Sequence, residues 1–264
     1  MSSPAGACKR RRIAVLIRIQ AMAVLKRIAH RGASGRYPEN TRLAFAKAIE
    51  AGADMVELDC QLSRDGHVVV FHDELLRRTT GARGAVYSKT LEELKRLDVG
   101  RWRKPAFKGE RILTLEEALE TFDGRVDLCL EIKSFAESLP GIELKILFIL
   151  SHYDYLDRTI LSSFDYRRLG RIRELAPDAK LGLVFGSAVT QDPLATARQL
   201  EASSIHVQKS LATRNFCAQA WDEGLDVYVW TVNELRDMEM FISMGVQGLI
   251  SDFPERFSKL AVGW

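Results

Sequence analysis

Two histidines, three carboxylates and two cations of this 264-residue chain stand where strand-like patterns end. His30 closes the run "RIAH" (27–30) and Arg31 follows it, while His72 closes "HVVVFH" (67–72). Side chains alternate faces along a strand. In "DMVELDCQ" (54–61), Glu57 and Asp59 therefore share one face, and Val56, Leu58 and Cys60 the other. In "VDLCLEIK" (126–133), Glu131 and Lys133 lie opposite Leu128, Leu130 and Ile132. The apolar faces suit packing against helices, which turns the charged faces towards a barrel interior. Buried charge is costly without partners. Two arrangements meet that demand: an ion-pair network in which Arg31 and Lys133 neutralise the acids, or a divalent-cation site. Hard ions such as Mg²⁺ and Ca²⁺ take carboxylate oxygens, and Glu57, Asp59 and Glu131 would supply three ligands. Imidazole titrates near neutral pH, so His30 and His72 can divide the roles of base and acid. Arg31 brings a planar fork for phosphate oxygens and Lys133 a point charge. The set points to phosphoryl chemistry.

Nine β-rich runs could position these groups: 27–30, 54–61, 67–72, 126–133, 159–164, 180–185, 204–208, 226–232 and 248–253. Amphipathic segments lie between most of them, and several stop at Gly or Pro, as helices do. This alternation predicts an α/β fold with a parallel sheet and helices outside. A closed (β/α) barrel needs eight strands, so one run is surplus. The link "LSRDG" between the second and third runs is too short for a crossover helix. Residues 73–111 are too long for an ordinary βα connection. They predict an inserted segment, holding one short helix, on the face where loops after strands build active sites.

The net charge of +3 belongs to the tail. Residues 1–27 hold Lys9, Arg10, Arg11, Arg12, Arg18, Lys26 and Arg27 and no acid. Removing these seven from 38 Lys and Arg leaves 31 against 35 Asp and Glu, a body of −4. A nucleic-acid binder needs a basic face on its folded domain, and this body lacks the balance for one. Residues 1–26 are read as an extension before a barrel domain spanning 27–264. The alternative is a poor secretory signal or membrane-surface segment, because Arg18 breaks the apolar run. The chain has no run of 18 apolar residues, the length a membrane-spanning helix needs. Cys8, Cys60, Cys129 and Cys217 form no C-x-x-C pair. They fit a reducing compartment, hence a cytoplasmic location. Ser162 and Ser163 lack a G-x-S-x-G elbow, which argues against a serine hydrolase.

"HRGASGRYPENT", "VELDCQLSRDGHVVVFHDELLRRTT", "LTLEEAL", "LEIK", "SSFD", "VYVWTVN" and "GVQGLISDFPE" run in order from about residue 27 to 257. Together they resemble the glycerophosphodiester phosphodiesterase family. The resemblance implies a TIM (β/α)8 barrel with a small inserted segment after the third strand. It also implies a divalent cation, Mg²⁺ or Ca²⁺, and hydrolysis of small glycerophosphodiesters to an alcohol and sn-glycerol 3-phosphate. It makes His30 and His72 the catalytic pair, Arg31 and Lys133 phosphate contacts, and Glu57, Asp59 and Glu131 metal ligands. Trp230 would line the substrate pocket. Glu39 and Asn40 fall in a P-E-N-T loop that shapes the site, although Asn40 could instead cap a helix. Arg77, Leu113 and Gln247 depart from the usual pattern, and Arg77 could alter the preference for the leaving alcohol. Gly32 and Gly35 are expected to let the loop turn tightly beside the ligand. His67 is expected to be exposed, His152 to sit at a helix end, and His206 to be a core or supporting residue. A lysophospholipase D-type activity is the alternative on the same barrel, but it needs a membrane-facing apolar surface. An inactive phosphodiester-binding barrel is a further alternative, but a binder needs no acid/base pair. No oligomeric state follows from these residues.

Overall fold

The computed structural model describes residues 25–135 and 139–260. Eight parallel strands form the barrel: β1 (Lys26–His30), β2 (Met55–Leu62), β5 (Asp127–Ile132), β6 (Thr159–Ser163), β7 (Lys180–Phe185), β8 (Ser204–Gln208), β9 (Asp226–Trp230) and β10 (Gly248–Ser251). Pairing of β1 with both β10 and β2 closes the ring. The fold is the expected TIM barrel. The surplus run is β3 (Val68–Val70), which turns back antiparallel on the far end of β2. A two-residue strand missing from the sequence reading, β4 (Leu113–Thr114), pairs with β3.

Helices α1 (Arg42–Glu50), α4 (Leu115–Phe122), α5 (Ile142–His152), α6 (Tyr166–Leu175), α7 (Pro193–Gln199), α8 (Arg214–Asp222) and α9 (Leu235–Met244) lie between successive barrel strands. Their starts are chemically marked. Side-chain oxygens of Thr41, Asp165, Asp192 and Thr213 accept backbone N–H groups at the first turns of α1, α6, α7 and α8. Thr114 and Glu117 form a reciprocal capping box on α4. No one-sided stripe marks α5, because Ile142, Ile146 and Leu150 are buried while Leu144 and Phe148 are exposed.

Packing separates three apolar groups. Val56, Leu58, Cys60, Leu128, Leu130 and Ile132 belong to the layer between barrel and helices. Ile28, Met55, Cys129, Ile160, Tyr228 and Ile250 fill the lumen. The segment 73–111 contributes to its own small core, with Val69, Phe71, Leu76, Val86, Leu94, Val99 and Ile112. It holds two short helices, α2 (Arg77–Thr80) and α3 (Leu91–Lys95), rather than one. That insertion is therefore a packed unit able to brace what it touches. Of the N-terminal extension assigned to 1–26, residues 1–24 lie outside the described residues, while β1 begins at Lys26. No described helix is long and apolar enough to cross a membrane.

Candidate active site

Strand register gathers the predicted groups at the C-terminal mouth of the barrel. His30 on β1 pairs with Glu57 on β2, and Asp59 pairs with Glu131 on β5. Alternation then turns Glu57, Asp59 and Glu131 inward above the apolar lumen, with Lys133 just past the end of β5. A cavity of about 200 Å³ opens there, lined among others by His30, Arg31, His72, Lys133, Phe164 and Trp230. All eight residues assigned from the sequence thus converge on one site, with Asp59 just beneath the cavity wall.

The loop after β1 brings Arg31 over this mouth. Arg31 and Gly32 both adopt left-handed backbone conformations, with φ of 54° and 79°. The Arg31 N–H donates to Glu57 Oε2 at 2.9 Å. Its Nη1 donates to Glu39 Oε1 at 2.9 Å, and its Nε lies 3.3 Å from Asp59 Oδ2. Asn40 is not the helix cap, a role taken by Thr41. Asn40 Nδ2 instead donates to Asp59 Oδ2 at 2.8 Å. Gly32 has the positive φ that a tight turn needs, and both glycines stand where the protein's own packing leaves no room for a side chain. A Cβ on Gly32 would lie 2.7 Å from the Ala44 backbone, and one on Gly35 2.5 Å from the Phe253 ring.

Lys133 Nζ lies 2.6 Å from Glu131 Oε1 and 3.0 Å from Asp59 Oδ1. The expected ion pairs exist, yet three acids face two cations and Arg31 is shared with Glu39. Burial, with Asp59 and Glu131 nearby, pushes the Glu57 carboxyl well above its ordinary pKa. Burial opposes ionisation of Asp59 too, but Lys133, Arg31 and His72 outweigh it and hold that carboxyl low. Ligand oxygens of Glu57, Asp59 and Glu131 lie within 4.8 Å of one another. Asp59 Oδ1 is buried with no hydrogen bond satisfied, despite the neighbouring ammonium. A hard-oxygen donor set, crowded enough to push Glu57 towards its neutral form and leaving a carboxylate oxygen unsatisfied, fits a divalent cation.

Both imidazoles are anchored at the same ring nitrogen. His30 Nδ1 lies 2.6 Å from Asp252 Oδ1, and His72 Nδ1 2.6 Å from Asp73 Oδ1. This leaves Nε2 of each ring for a reacting oxygen. Asn233 Nδ2 and Ser34 Oγ also donate to Asp252. Burial would raise the Asp252 carboxyl, but the bond to His30 and these donors bring it down to about 2. Burial lowers the His72 pKa, reinforced by Lys133 and Arg31 and opposed by Asp59 and Asp73. Asp73, Asp252, Asn233 and Arg78 were not among the residues singled out from the sequence. Asp73 carried a signal, since it directly follows His72. Asp252 meets His30 across 222 positions, a pairing made only by closure of the barrel.

Trp230 forms the apolar wall. Its Nε1 donates to the His206 carbonyl at 2.8 Å, and its ring meets Phe164 edge-on at 5.7 Å between centroids. His206 is buried at the floor, 3.0 Å from Ser204 Oγ and stacked on Tyr228. His67 is exposed and His152 ends α5, as expected. Ser162 and Ser163 donate to strand carbonyls of Leu130 and Ile132. Gln247 accepts from Trp221 Nε1 and the Val227 N–H, next to the starts of β9 and β10. Arg77 is exposed at the start of α2.

The profile of the Glycerophosphoryl diester phosphodiesterase family matches residues 30–256. The chain is 41% identical over 234 residues to a glycerophosphodiester phosphodiesterase of Caldanaerobacter subterraneus subsp. tengcongensis, covering 88% of this chain and 96% of the relative. It is 34% identical over 239 residues to one from Bacillus altitudinis, covering 89% and 97%. Among solved structures, an Oleispira antarctica phosphodiesterase in complex with the product sn-glycerol-3-phosphate superposes with a TM-score of 0.81. It shares 31% identity, over 88% of this chain and 94% of that one. The match spans the barrel from His30 through Arg256, and the chain belongs to the glycerophosphoryl diester phosphodiesterase family of enzymes.

Proposed function

We propose that this protein hydrolyses small glycerophosphodiesters to an alcohol and sn-glycerol 3-phosphate. The observation that carries the reading is the pair of imidazoles, each tied at Nδ1 to a carboxylate, facing one cavity beside Arg31 and Lys133. Glu57, Asp59 and Glu131 would hold Mg²⁺ or Ca²⁺. When bound, that ion offsets negative charge on the phosphate.

The Arg31 fork and the Lys133 ammonium bind the phosphoryl oxygens and stabilise charge that grows on them. Burial and neighbouring cations favour neutral His72, the form that accepts a proton. We therefore assign its Nε2 as the base towards the attacking oxygen. His30, held by Asp252, delivers the proton to the departing alkoxide. Trp230 and Phe164 pack against the apolar part of the substrate and shield the site from water. The buried, unpaired Cys60, Cys129 and Cys217 support a cytoplasmic setting. The functional unit is read as residues 27–264, with 73–111 as its insertion.

Turnover of glycerophosphocholine and glycerophosphoethanolamine, with and without chelator, tests this. EDTA should abolish turnover and Mg²⁺ or Ca²⁺ restore it. Full activity after exhaustive chelation would remove the cation from the reading. Absence of turnover with both substrates and either ion would remove the activity itself.

A further inference from the structure

Arg78 of the insertion joins two arms of the site that are otherwise separate. Its Nη1 and Nη2 each donate to one oxygen of Glu39 at 2.7 Å, a bidentate pair. Its Nε and Nη2 donate to Asp73 Oδ2 and Oδ1 at 2.5 and 3.0 Å. Asp73 Oδ1 is the atom that anchors His72, and Glu39 Oε1 is the atom that anchors Arg31. One planar guanidinium thus holds both carboxylates that orient an imidazole and a phosphate fork. The Trp102 ring packs 5.6 Å from its Cζ, which fixes the group from the insertion side. Hydrogen bonds from Arg78 are the largest influence lowering the Asp73 pKa after the opposing effect of burial, and the same is true for Glu39. Without that guanidinium two ionised carboxylates would face each other. Each would then be free to leave the side chain it orients.

We propose that Arg78 is a positioning residue that sets His72 through Asp73 and Arg31 through Glu39. Through it the folding of the insertion is coupled to the geometry of the reacting groups. Its two arms act on different kinetic quantities. The Asp73 arm fixes the aim of Nε2 and belongs to kcat. The Glu39 arm fixes a contact made to the phosphate before and during reaction, and belongs mainly to KM. A lysine cannot replace this fork, because an ammonium is a point charge without planar, paired donors. The inference rests on His72 and Arg31 having the roles proposed above.

The test is steady-state kinetics of the full chain on glycerophosphocholine at saturating Mg²⁺, with Tm measured alongside. The variants are Arg78→Gln, Arg78→Lys, Asp73→Asn and Glu39→Gln, the last two also combined with Arg78→Gln. Misplaced reacting groups cost up to about 100-fold, so Arg78→Gln should lower kcat by roughly 10–100-fold and raise KM several-fold. Arg78→Lys should restore little of either. On an Asp73→Asn background, Arg78→Gln should change kcat by less than about twofold, the ordinary limit of additivity. On a Glu39→Gln background, the same should hold for KM. Arg78→Gln values within about twofold of wild type would overturn the proposal. So would full additivity in both double variants, a fully active Arg78→Lys, or an Arg78→Gln loss recovered entirely by assaying well below a lowered Tm. His72→Ala is assayed in parallel. An active His72→Ala would refute the underlying site reading, whereas an inactive one beside wild-type-like Arg78 variants would refute the positioning role alone.

Discussion

His30 and His72 present the same atom to the cavity because each has a carboxylate on the other one. General acid–base groups contribute about 10²–10⁴-fold. Each His→Ala variant should lose kcat on that scale, with Tm close to wild type, since both rings are partly exposed at the mouth. A retained rate above about a tenth in both variants, well outside that range, would mean that neither imidazole moves a proton. Asp252→Asn tests the anchor separately. It keeps shape and the Asn233 contact but removes the carboxylate charge beside His30 Nδ1. Its kcat should fall while KM stays near wild type. A change confined to KM would place Asp252 in substrate binding instead.

At the scale of elements, the site depends on how the loop 31–41 packs against its neighbours. Gly35 sits against Phe253, whose ring is also covered by the Arg256 guanidinium 4.2 Å from the centroid. The Gly35 N–H also donates to the Asp252 carbonyl at 2.8 Å. Gly35→Ala should push Phe253 away and disturb Asp252 with it. Overpacking costs typically about 1–3 kcal/mol, and about 2–4 °C in Tm accompanies each kcal/mol in a chain this size. Differential scanning calorimetry should show a lower Tm, together with reduced kcat. Gly170→Ala is the contrasting case. It lies inside α6, where the added Cβ would meet only Leu200 at 3.8 Å. Replacing a helix glycine gains roughly 0.5–1 kcal/mol, so its Tm should rise. A Tm for Gly35→Ala equal to or above wild type would show that this loop tolerates movement and does not position the site.

At the scale of the whole molecule, buried titratable groups make stability depend on pH. Burial holds His206 down to about 3, against about 6.5 for a free imidazole. Between these values the unfolded chain binds a proton that the native chain does not. The contribution of His206 to stability therefore falls as pH falls through that window, by about 1.4 kcal/mol per unit for one proton. Asp252, at about 2 in the native state, adds loss of the same sign below about pH 4, where the unfolded carboxylate protonates. Glu57, held above its ordinary value, acts in the opposite sense over part of the His206 window, so the test is a difference: in urea unfolding at pH 7, 6 and 5, wild type should lose stability relative to His206→Gln as pH falls. A difference that does not change with pH would mean that His206 binds protons equally in the native and unfolded chains. A chain beginning at Met22 retains Leu25, which is buried, and the whole of β1. Its turnover and Tm should equal those of the full chain, and loss of either would give residues 1–21 a role.

Period-two alternation in "VELDCQ" and "LEIK" was enough to put Glu57, Asp59, Glu131 and Lys133 on inward faces, because side-chain direction along a strand is a local property. Six of the seven outer helices were legible for the same reason, in their one-sided patterns and stops. α5 escaped that test, being apolar on both sides. The surplus strand was countable, yet its antiparallel return onto β2 depended on hydrogen bonds between chain segments. So did the partners of the reacting groups. Asp252 reaches His30 only when β10 closes on β1, and Arg78 reaches Glu39 only when the insertion folds back against the loop after β1. Asn40 showed a helix-cap residue type but was taken by Asp59, a buried carboxylate with a stronger need for a donor. Residue types and strand periods identify the groups that can react. Which nitrogen they present, and what holds it there, arises from contacts between residues far apart in the chain, where no local pattern records the pairing.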